Sequence, residues 1–585
     1  MKRFLLLTAT ALSMLLPTPQ DTFFTPAQAA PALRRIVTLT QPDGSTLQAL
    51  PMGDEHMSYW IEAQTGHLLT QDATTHVWRR MNDAEVQEND VRWQKSRREA
   101  AKLYGVIRRI GGVKPSNQVK LPVLLVEFAD VKLTDEFGTV EYTNKMLNDL
   151  NYDHVAYTTN GKDYHVGSIR KYWNIQSLKK FDPQFEVLGK ITLSQNRSVY
   201  GKDSGSSIDT NIRAFYKEVV DSVKQQGLLE QASLYDHNGD GVLDCLYIIY
   251  AGYGQNELAD QTDLIWAKNH SGNVYTLNDG TKTNLFLLSP ELFGRGKSEL
   301  HPNIGVFTHE FGHSIGLPDF YGTNSSTRGQ CYGMDSWSLM DQGEYNGRGQ
   351  IPSSLTTHER MYLGWLDEPA TIDPNSKDTL GLFVSTGDAR IFRNPDNENE
   401  YITIENHQPE NEWEITWGNS TYYGAHTHEG LLITYVNFDQ ALWNANSPNN
   451  DPSFQRCSPI SADGDRRLYI NEEITTQAEY DAWRINLSSD IYPGASNIRK
   501  LNSENLLFRW HNGDTIAFNI NDIEQLTNRS IVITFGEPAT TSIKPITDNT
   551  HNGRAIKRLQ NGQIFIEKDG AYYDLLGRKV NAQKR

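Results

Sequence analysis

The sequence predicts an α+β domain in the middle of the chain, followed by a β-sandwich domain. Near-continuous apolar runs at 121–128 and 243–250 have the composition of buried strands. Predicted helices lie after and between them, at 168–176, 209–226 and 304–317. Beyond Pro369, short β-type stretches separated by Gly, Pro, Asn and Asp are typical of a sandwich, and they lie at 401–405, 430–436, 515–519 and 530–535.

The N-terminus has the parts of a secretory signal peptide. Lys2 and Arg3 are basic, residues 4–16 are apolar apart from Thr and Ser, and Ala27-Gln28-Ala29 is a small-residue cleavage site. The apolar run is shorter than the ~20 residues of a membrane span. We therefore expect residues 1–29 to be removed, no membrane insertion afterwards, and a secreted or cell-surface protein.

The net charge limits the classes of binding partner, and the cysteine content limits the number of disulfides. A net charge of −17 at pH 7 argues against nucleic acid and anionic membrane surfaces as partners. The three cysteines are Cys245, Cys331 and Cys457, which allow at most one disulfide of unknown pairing. The oligomeric state cannot be read from the sequence.

Residues 30–117 differ in composition from the segment that follows them. Strand-like stretches such as 58–61 precede a charged, helical segment at 83–101, and the dibasic pair Arg108-Arg109 comes next. This order is typical of a pro-segment with a protease-sensitive linker. The alternative is an N-terminal domain that stays attached.

The motif that carries chemistry is His309-Glu310-Phe311-Gly312-His313. On a helix, His309 and His313 lie four residues apart and face the same side, which suits two ligands of one zinc ion. Glu310 projects beside them without being a ligand. Its carboxylate can take a proton from a zinc-activated water and pass it to the leaving amine of a peptide. The alternative is a helix whose histidines are only hydrogen-bonded.

A third zinc ligand is predicted a short distance downstream. Gly316 stands where the helix must end, since glycine permits a left-handed turn. The chain can then bring Asp319 back to the metal as an oxygen ligand. Two histidines and one carboxylate leave the fourth position open, as catalytic zinc requires. Met340, in Ser338-Leu339-Met340, is the candidate for the apolar methionine floor found beneath zinc in metzincin-type peptidases.

With these motifs the chain resembles the immune inhibitor A-like family of secreted bacterial metallopeptidases. The resemblance covers about 118–535 and rests on HExxHxxGxxD, the WSLM turn and three further strings, His358-Glu359-Arg360, Leu363-Gly364-Trp365-Leu366 and Ile491-Tyr492-Pro493-Gly494. It implies a zincin catalytic domain at 118–367, zinc held by His309, His313 and Asp319, Glu310 as catalytic base, and protein or peptide substrates. Glu359 is the alternative third ligand.

A second metal site is a hypothesis at the loop 236–244. Asp236, Asn238, Asp240 and Asp244 occupy positions 1, 3, 5 and 9 of an EF-hand-like pattern, which would suit Ca²⁺. Position 12 is Tyr247, so the bidentate glutamate is missing. The alternative is an Asx-rich turn that leads into the next strand.

Asp54 is a hypothetical latency residue. The pro-segment has no cysteine that could cap the zinc, and Asp54 sits in a turn between two β-like stretches. We hypothesise that its carboxylate takes the open zinc position in the zymogen, and the alternative is a surface turn.

The end of the chain is predicted to be separate. The β-sandwich is expected at 368–536, and 537–585 is expected to hold a linker and a β-hairpin with its turn at 568–570. Tyr573-Asp574-Leu575-Leu576-Gly577-Arg578-Lys579-Val580 resembles the C-terminal sorting modules of type IX secretion. The alternative is a final hairpin packed on the sandwich.

The predicted function is a secreted zinc endopeptidase. The alternative is a secreted or cell-surface binding protein in which the zincin domain is structural. The intact Glu310 favours the enzyme.

Overall fold

A computed structural model defines the fold. The structure describes residues 30–54, 57–92, 117–159, 162–205, 207–294, 301–324, 329–331, 333–408, 429–465, 476, 479, 489–494, 496–536, 556–560, 563–568, 571–573 and 579–580. Residues up to Gly536 belong to one compact unit and residues from Glu537 to a second, and each unit is treated by itself. The predicted signal peptide, at 1–29, and the dibasic pair Arg108-Arg109 lie outside the described residues.

The N-terminal region is an antiparallel sheet in which each strand pairs with the next one along the chain. Its strands are β1 Val37–Thr40, β2 Thr46–Asp54, β3 Met57–Glu62, β4 Leu68–Gln71 and β5 Trp78–Arg80. Residues 83–92 are helical, as the sequence predicts. Leu50, Met52, Tyr59 and Ile61 fill a small core on one face. The segment before β1, residues 30–34, is almost fully buried.

The central region combines one six-stranded sheet, a separate two-stranded sheet of β7 (His154–Thr159) and β8 (Lys162–Val166), and helices. Its strands are β6 Asn117–Glu127, β7 His154–Thr159, β8 Lys162–Val166, β9 Phe181–Thr192, β10 Leu246–Tyr253, β11 Lys268–Thr276, β12 Lys282–Phe293 and β13 His301–Pro302. Its helices are α1 Val140–Asn148, α2 Ile169–Gln176, α3 Arg197–Gly201, α4 Ile212–Gln226, α5 Ile304–Ser314, α6 Asn346–Gly349 and α7 Thr357–Tyr362. Single 3₁₀ turns occur at Ala232–Tyr235, Asp335–Trp337 and Gln342–Tyr345.

The order of strands explains the apolar runs of the sequence. The sheet runs β11-β12-β10-β6-β9, with β13 added beside β12. Strand β6 lies parallel to both β9 and β10, and β10 lies parallel to β12. Parallel strands inside a sheet are covered on both faces, so they contain few polar residues. The predicted strands at 121–128 and 243–250 are confirmed, since they overlap β6 and β10, although β10 begins only at Leu246.

Helix α5 is buried along its whole length, which is unusual for an eleven-residue helix and fixes its position. The Phe307 ring stacks on Tyr247 of β10 with centroids 3.7 Å apart, and the Tyr247 hydroxyl donates to the Phe307 carbonyl over 2.7 Å. Phe311 packs against Phe181 and Phe185 of β9. The helix is therefore held against the sheet by rings at every turn.

The region from 366 to 536 is built of two sheets that share one core. Its elements are β14 Ala370–Thr371, β15 Lys377–Leu380, α8 Phe383–Thr386, β16 Ala389–Asn394, β17 Asn397–His407, β18 Gly430–Asn437, α9 Gln440–Asn444, β19 Cys457–Pro459, β20 Tyr492–Pro493, β21 Asn519–Gln525 and β22 Ile531–Gly536. One sheet runs β14-β16-β17-β18-β19 with β20 beside β18, and the other runs β15-β22-β21. Ile402 and Ile433 of the first pack in one cluster with Ile523 and Ile533 of the second.

One strand prediction in this region is wrong. Residues 515–518 form no strand, and Thr515 makes only an isolated bridge to Arg509, whereas the strand begins at Asn519. Ile516 and Phe518 are nevertheless fully buried, so the alternation of apolar residues reports burial from a loop. The predicted strands at 401–405 and 430–436 fall within β17 and β18, and the one at 530–535 overlaps β22. All three cysteines are buried free thiols.

The last unit is a small antiparallel sheet of β23 Ile556–Gln560, β24 Gln563–Lys568, β25 Ala571–Tyr573 and β26 Lys579–Val580. The predicted hairpin is confirmed by the pairing of β24 with β25. Across the part of the chain that the structure describes, no helix has the length and apolar character needed to span a bilayer.

Glu257 gives the fold a pH dependence that can be measured. It accepts a hydrogen bond from Asn303, whose side chain caps the start of α5, and another from the Gly294 N–H over 3.0 Å. Burial raises the pKa of Glu257 to about 8. Between its unfolded value near 4.5 and pH 8 the folded protein keeps a proton that the unfolded chain releases, so stability falls as the pH rises.

We expect a Glu257→Gln variant to lose this part of the pH dependence. Between pH 5 and 8, the free energy of unfolding should fall less steeply than in the wild type, by about 1 kcal/mol per pH unit. Urea unfolding at several pH values measures the slope, which a constant cost of the amide does not alter. Glu524→Gln, at an exposed position, is the control. Parallel slopes for wild type and Glu257→Gln would contradict the argument.

Candidate metal centre

Helix α5 presents both histidines of the motif to one point, as their four-residue spacing predicts. The Nε2 atoms of His309 and His313 lie 3.1 Å apart. The Oδ1 atom of Asp319 lies 3.3 Å from the first and 3.4 Å from the second. All three side chains are fully buried. Among the residues that the structure describes, they are the group of three whose donor atoms converge as metal ligands would.

Backbone carbonyls fix which nitrogen of each ring faces the centre. The Nδ1 of His309 donates to the Leu339 carbonyl over 2.8 Å, and the Nδ1 of His313 donates to the Leu317 carbonyl over 2.9 Å. Both Nε2 atoms then present lone pairs to each other and to the carboxylate, an arrangement that a cation stabilises. Burial lowers the pKa of His309, which favours the neutral, metal-binding form. The residues therefore fit a zinc ion.

Asp319 reaches the histidines because the helix ends where the sequence predicts. Gly316 has φ of +101°, and its N–H donates to the His313 carbonyl over 2.9 Å. Burial alone would raise the pKa of Asp319, but the neighbouring His313 and His309 hold it below the usual range. Its Oδ1 atom has no hydrogen-bond donor and faces the two Nε2 atoms. A buried carboxylate oxygen left in this way is what metal coordination would satisfy.

Asn446 forms hydrogen bonds with the second carboxylate oxygen and the backbone N–H of Asp319. The Asn446 amide donates from Nδ2 to Asp319 Oδ2 over 2.5 Å, and its Oδ1 accepts from the Asp319 N–H over 2.6 Å. Trp443, on the same segment after β18, donates from Nε1 to the Gly316 carbonyl over 3.0 Å. The carboxylate is thus oriented by residues well beyond the predicted catalytic domain.

We expect an Asn446→Asp variant to bind zinc 10- to 100-fold more weakly, as is typical when a partner of a metal ligand is lost. The change keeps the shape but replaces the donor facing Asp319 Oδ2 with a second carboxylate. Chelator competition measures the affinity. Asn450→Asp is the matched control, since Asn450 bonds to Thr323 and not to Asp319. Equal zinc affinity in Asn446→Asp and the wild type would show that the contact does not support the site.

Met340 lies beneath the helix, as predicted for the methionine floor. A methyl group added at Gly312 would come within 2.6 Å of Met340 Sδ, so any larger residue there would displace the methionine side chain. The Met340 carbonyl accepts from the Phe320 N–H over 2.9 Å, which joins the floor to the segment that carries Asp319.

Residues 30–34, at the start of the N-terminal region, contact Glu310. The Ala30 N–H donates to Glu310 Oε1 over 2.7 Å, although 280 residues separate them. The Ala30 carbonyl accepts from Trp266 Nε1 over 2.8 Å, and the Pro31 carbonyl accepts from the Tyr345 hydroxyl over 2.6 Å. Leu33 donates its N–H to the Asn256 carbonyl over 2.7 Å. A peptide of this same chain therefore contacts the predicted base.

The other predicted site residues lie elsewhere. Glu359 accepts bonds from Thr356 and Ser338 and caps α7, so Asp319 and not Glu359 meets the histidines. Asp54 is buried at the end of β2 but is not one of the three converging groups.

In the loop 236–244, the carboxylates of Asp236 and Asp240 accept from backbone N–H groups of the loop itself, and Asp244 bonds to His237. Asn238 likewise accepts from the Asp240 N–H. These contacts are those of an Asx-rich turn, and calcium binding there stays a prediction.

Comparison with known proteins agrees with this geometry. A family model described as the catalytic domain of the immune inhibitor A peptidase M6 matches residues 111–365. Pre-pro-metalloprotease PrtV of two Vibrio cholerae serotype O1 strains is 28% identical over 273 residues, covering 42% of this chain and 29% of the relative. Immune inhibitor A of Bacillus thuringiensis subsp. alesti is 27% identical over 274 residues, covering 42% of this chain and 39% of the relative.

The matches to these relatives span well under half of the relatives' own length. The residues matched by the family model include the histidine motif and the three converging side chains. The chain carries, in residues 111–365, an immune inhibitor A-like metallopeptidase domain.

Proposed function

We propose that the protein is a secreted zinc-dependent endopeptidase that is made as a latent precursor. The observation that carries the proposal is the convergence of Asp319 with His309 and His313 of the helix that also carries Glu310, which a backbone N–H of residues 30–34 already contacts. The predicted signal peptide supports secretion, and the type IX route stays a prediction from the tail sequence. Protein and peptide substrates follow from the family.

The roles of the residues follow from their positions. When bound by His309, His313 and Asp319, zinc supplies a Lewis acid that polarises a peptide carbonyl and lowers the pKa of water. Glu310 would accept the proton of the attacking water at a carboxylate oxygen and pass it to the leaving amine. Trp266 and Tyr345 donate hydrogen bonds to carbonyls of residues 30–34, so they would orient a substrate backbone.

Latency would result from the position of residues 30–34 against Glu310. The Ala30 N–H donates a hydrogen bond to a carboxylate oxygen of Glu310 that would be needed for the proton transfer. Removal of the predicted signal after Ala29 would turn this nitrogen into an α-amino group, which is largely protonated at neutral pH. A charged donor strengthens such a hydrogen bond. The segment would therefore block the base until the pro-segment is cut and released.

Casein hydrolysis tests the proposed function. The purified protein is activated with trypsin, trypsin is then removed and inhibited, and peptide release is measured with and without a zinc chelator. We expect activity that the chelator abolishes and added zinc restores. A protein that carries one zinc per chain, has lost its pro-segment and still releases no peptides would instead support a binding role for the zincin domain.

A further inference from the structure

Arg34 lies in a buried pocket whose walls include Tyr321, Asp341 and Gln342. Only 4% of its side chain is exposed, which is rare for arginine. Its Nη1 atom lies 3.7 Å from Asp341 Oδ1, and its guanidinium carbon lies 5.6 Å from the centre of the Tyr321 ring. The pocket thus offers a carboxylate and an aromatic face, the two groups that attract a guanidinium.

The pocket walls belong to the segments that build the metal site. Tyr321 comes two residues after the ligand Asp319, and Asp341 directly follows Met340. The Arg34 N–H also donates to Gln342 Oε1 over 3.4 Å. Since Ala30, four residues earlier, contacts Glu310, residues 30–34 occupy the path along which a substrate chain must lie.

The carboxylate of Asp341 is held in place without help from Arg34. Its Oδ2 accepts from the N–H groups of Met334 and Asp335, each over 3.1 Å, and its Oδ1 accepts from the Gln342 N–H over 2.9 Å. The Asp341 side chain is fully buried. A buried carboxylate is costly without a cation, so loss of Arg34 on activation leaves a site that a second cation would stabilise.

We propose that this pocket is a substrate subsite that selects an arginine or lysine side chain, and that Arg34 occupies it in the latent protein. The proposal rests on the proposed function, because it assigns specificity to the same site. It identifies the substrate class as polypeptides with a basic residue at one fixed distance from the cleaved bond.

Two peptides that differ by one charge test the pocket directly. One is Ala-Pro-Ala-Leu-Arg, the sequence of residues 30–34, and the other carries citrulline, which has nearly the shape of arginine but no charge. The zinc-loaded protein is activated with a glutamyl endopeptidase, since trypsin would add its own basic specificity. Calorimetry should show the citrulline peptide binding at least about 10-fold more weakly. Equal affinities would reduce Arg34 to an anchor of the pro-segment and overturn the proposal.

An Asp341→Asn variant tests whether the preference for the arginine peptide over the citrulline peptide comes from this pocket. The amide oxygen can still accept from the Met334 and Asp335 N–H groups, whereas the acceptor for the Gln342 N–H and the negative charge are lost. The difference between the two peptides should therefore fall below about 3-fold. If this variant does not fold, cleavage sites mapped in a peptide mixture with the wild type decide instead, where a basic residue enriched at one position supports the subsite. Peptide hydrolysis without any basic preference overturns the subsite and leaves the proposed function intact. Charge-selective binding without hydrolysis supports the subsite and overturns the proposed function.

Discussion

Glu310→Gln is expected to lower kcat for peptide hydrolysis by about 10²- to 10⁴-fold, the usual contribution of a general acid–base group. The amide cannot accept a proton from water at neutral pH or return one to the leaving amine. Zinc binding should be unchanged, because the proposed ligands are His309, His313 and Asp319 and each is held by its own partner. Casein hydrolysis and a zinc measurement on the same sample check both parts.

The control for this change is Glu291→Gln. Glu291 is also a buried carboxylate of the central region, but it bonds to Thr134 and lies outside the metal centre. It should keep its activity. An active Glu310→Gln enzyme would mean that another group moves the proton, whereas a variant without zinc would mean that Glu310 supports the site and not the chemistry.

Leu33→Glu is expected to activate the uncut precursor. Leu33 is buried in a cluster with Ala267, Phe293, Val306 and Tyr345, where a carboxylate would be surrounded by apolar and aromatic side chains. Loss of a buried leucine costs about 3 kcal/mol, and the buried charge adds to this cost, so the segment should leave its seat. The activity of full-length protein should then rise by about 100-fold, since 1.4 kcal/mol corresponds to a factor of ten.

Thr40→Glu adds the same charge to the pro-segment at an exposed position of β1 and should leave the precursor latent. Electrophoresis must show that the activated variant is still full-length, because self-cleavage would give the same activity. A Leu33→Glu precursor that stays folded, uncut and inactive would mean that residues 30–34 do not cause latency. Asp54, or another part of the N-terminal region, would then be the blocking group to examine.

Local rules were enough to predict that the side chains of His309, His313 and Asp319 converge. The four-residue spacing places two histidines on one face of a helix, and Gly316 ends that helix so that Asp319 can return. These are relations within eleven residues, so the backbone geometry is implied by the sequence itself. Met340 needed only the known relation of such a turn to the motif.

The contacts that complete the site could not be predicted in this way. Asn446 lies 127 residues from Asp319 and Ala30 lies 280 residues from Glu310, and neither residue type stands out in its own segment. Asn446 ends up at the metal centre because the segment after β18 packs on the end of α5. The failure at 515–519 has a related cause, since burial on a distant sheet can give a loop the alternation of a strand.

The two hydrogen bonds between Asn446 and Asp319 also bear on when the metal centre is completed during synthesis. A chain made from its N-terminus presents residues 30–34 first, the helix with Glu310 next, and Asn446 last. Asp319, the proposed third ligand, is therefore oriented only when Glu310 can already be covered by residues 30–34. A growing chain would never display a complete metal centre with Glu310 uncovered, which protects both the chain and the cell that makes it.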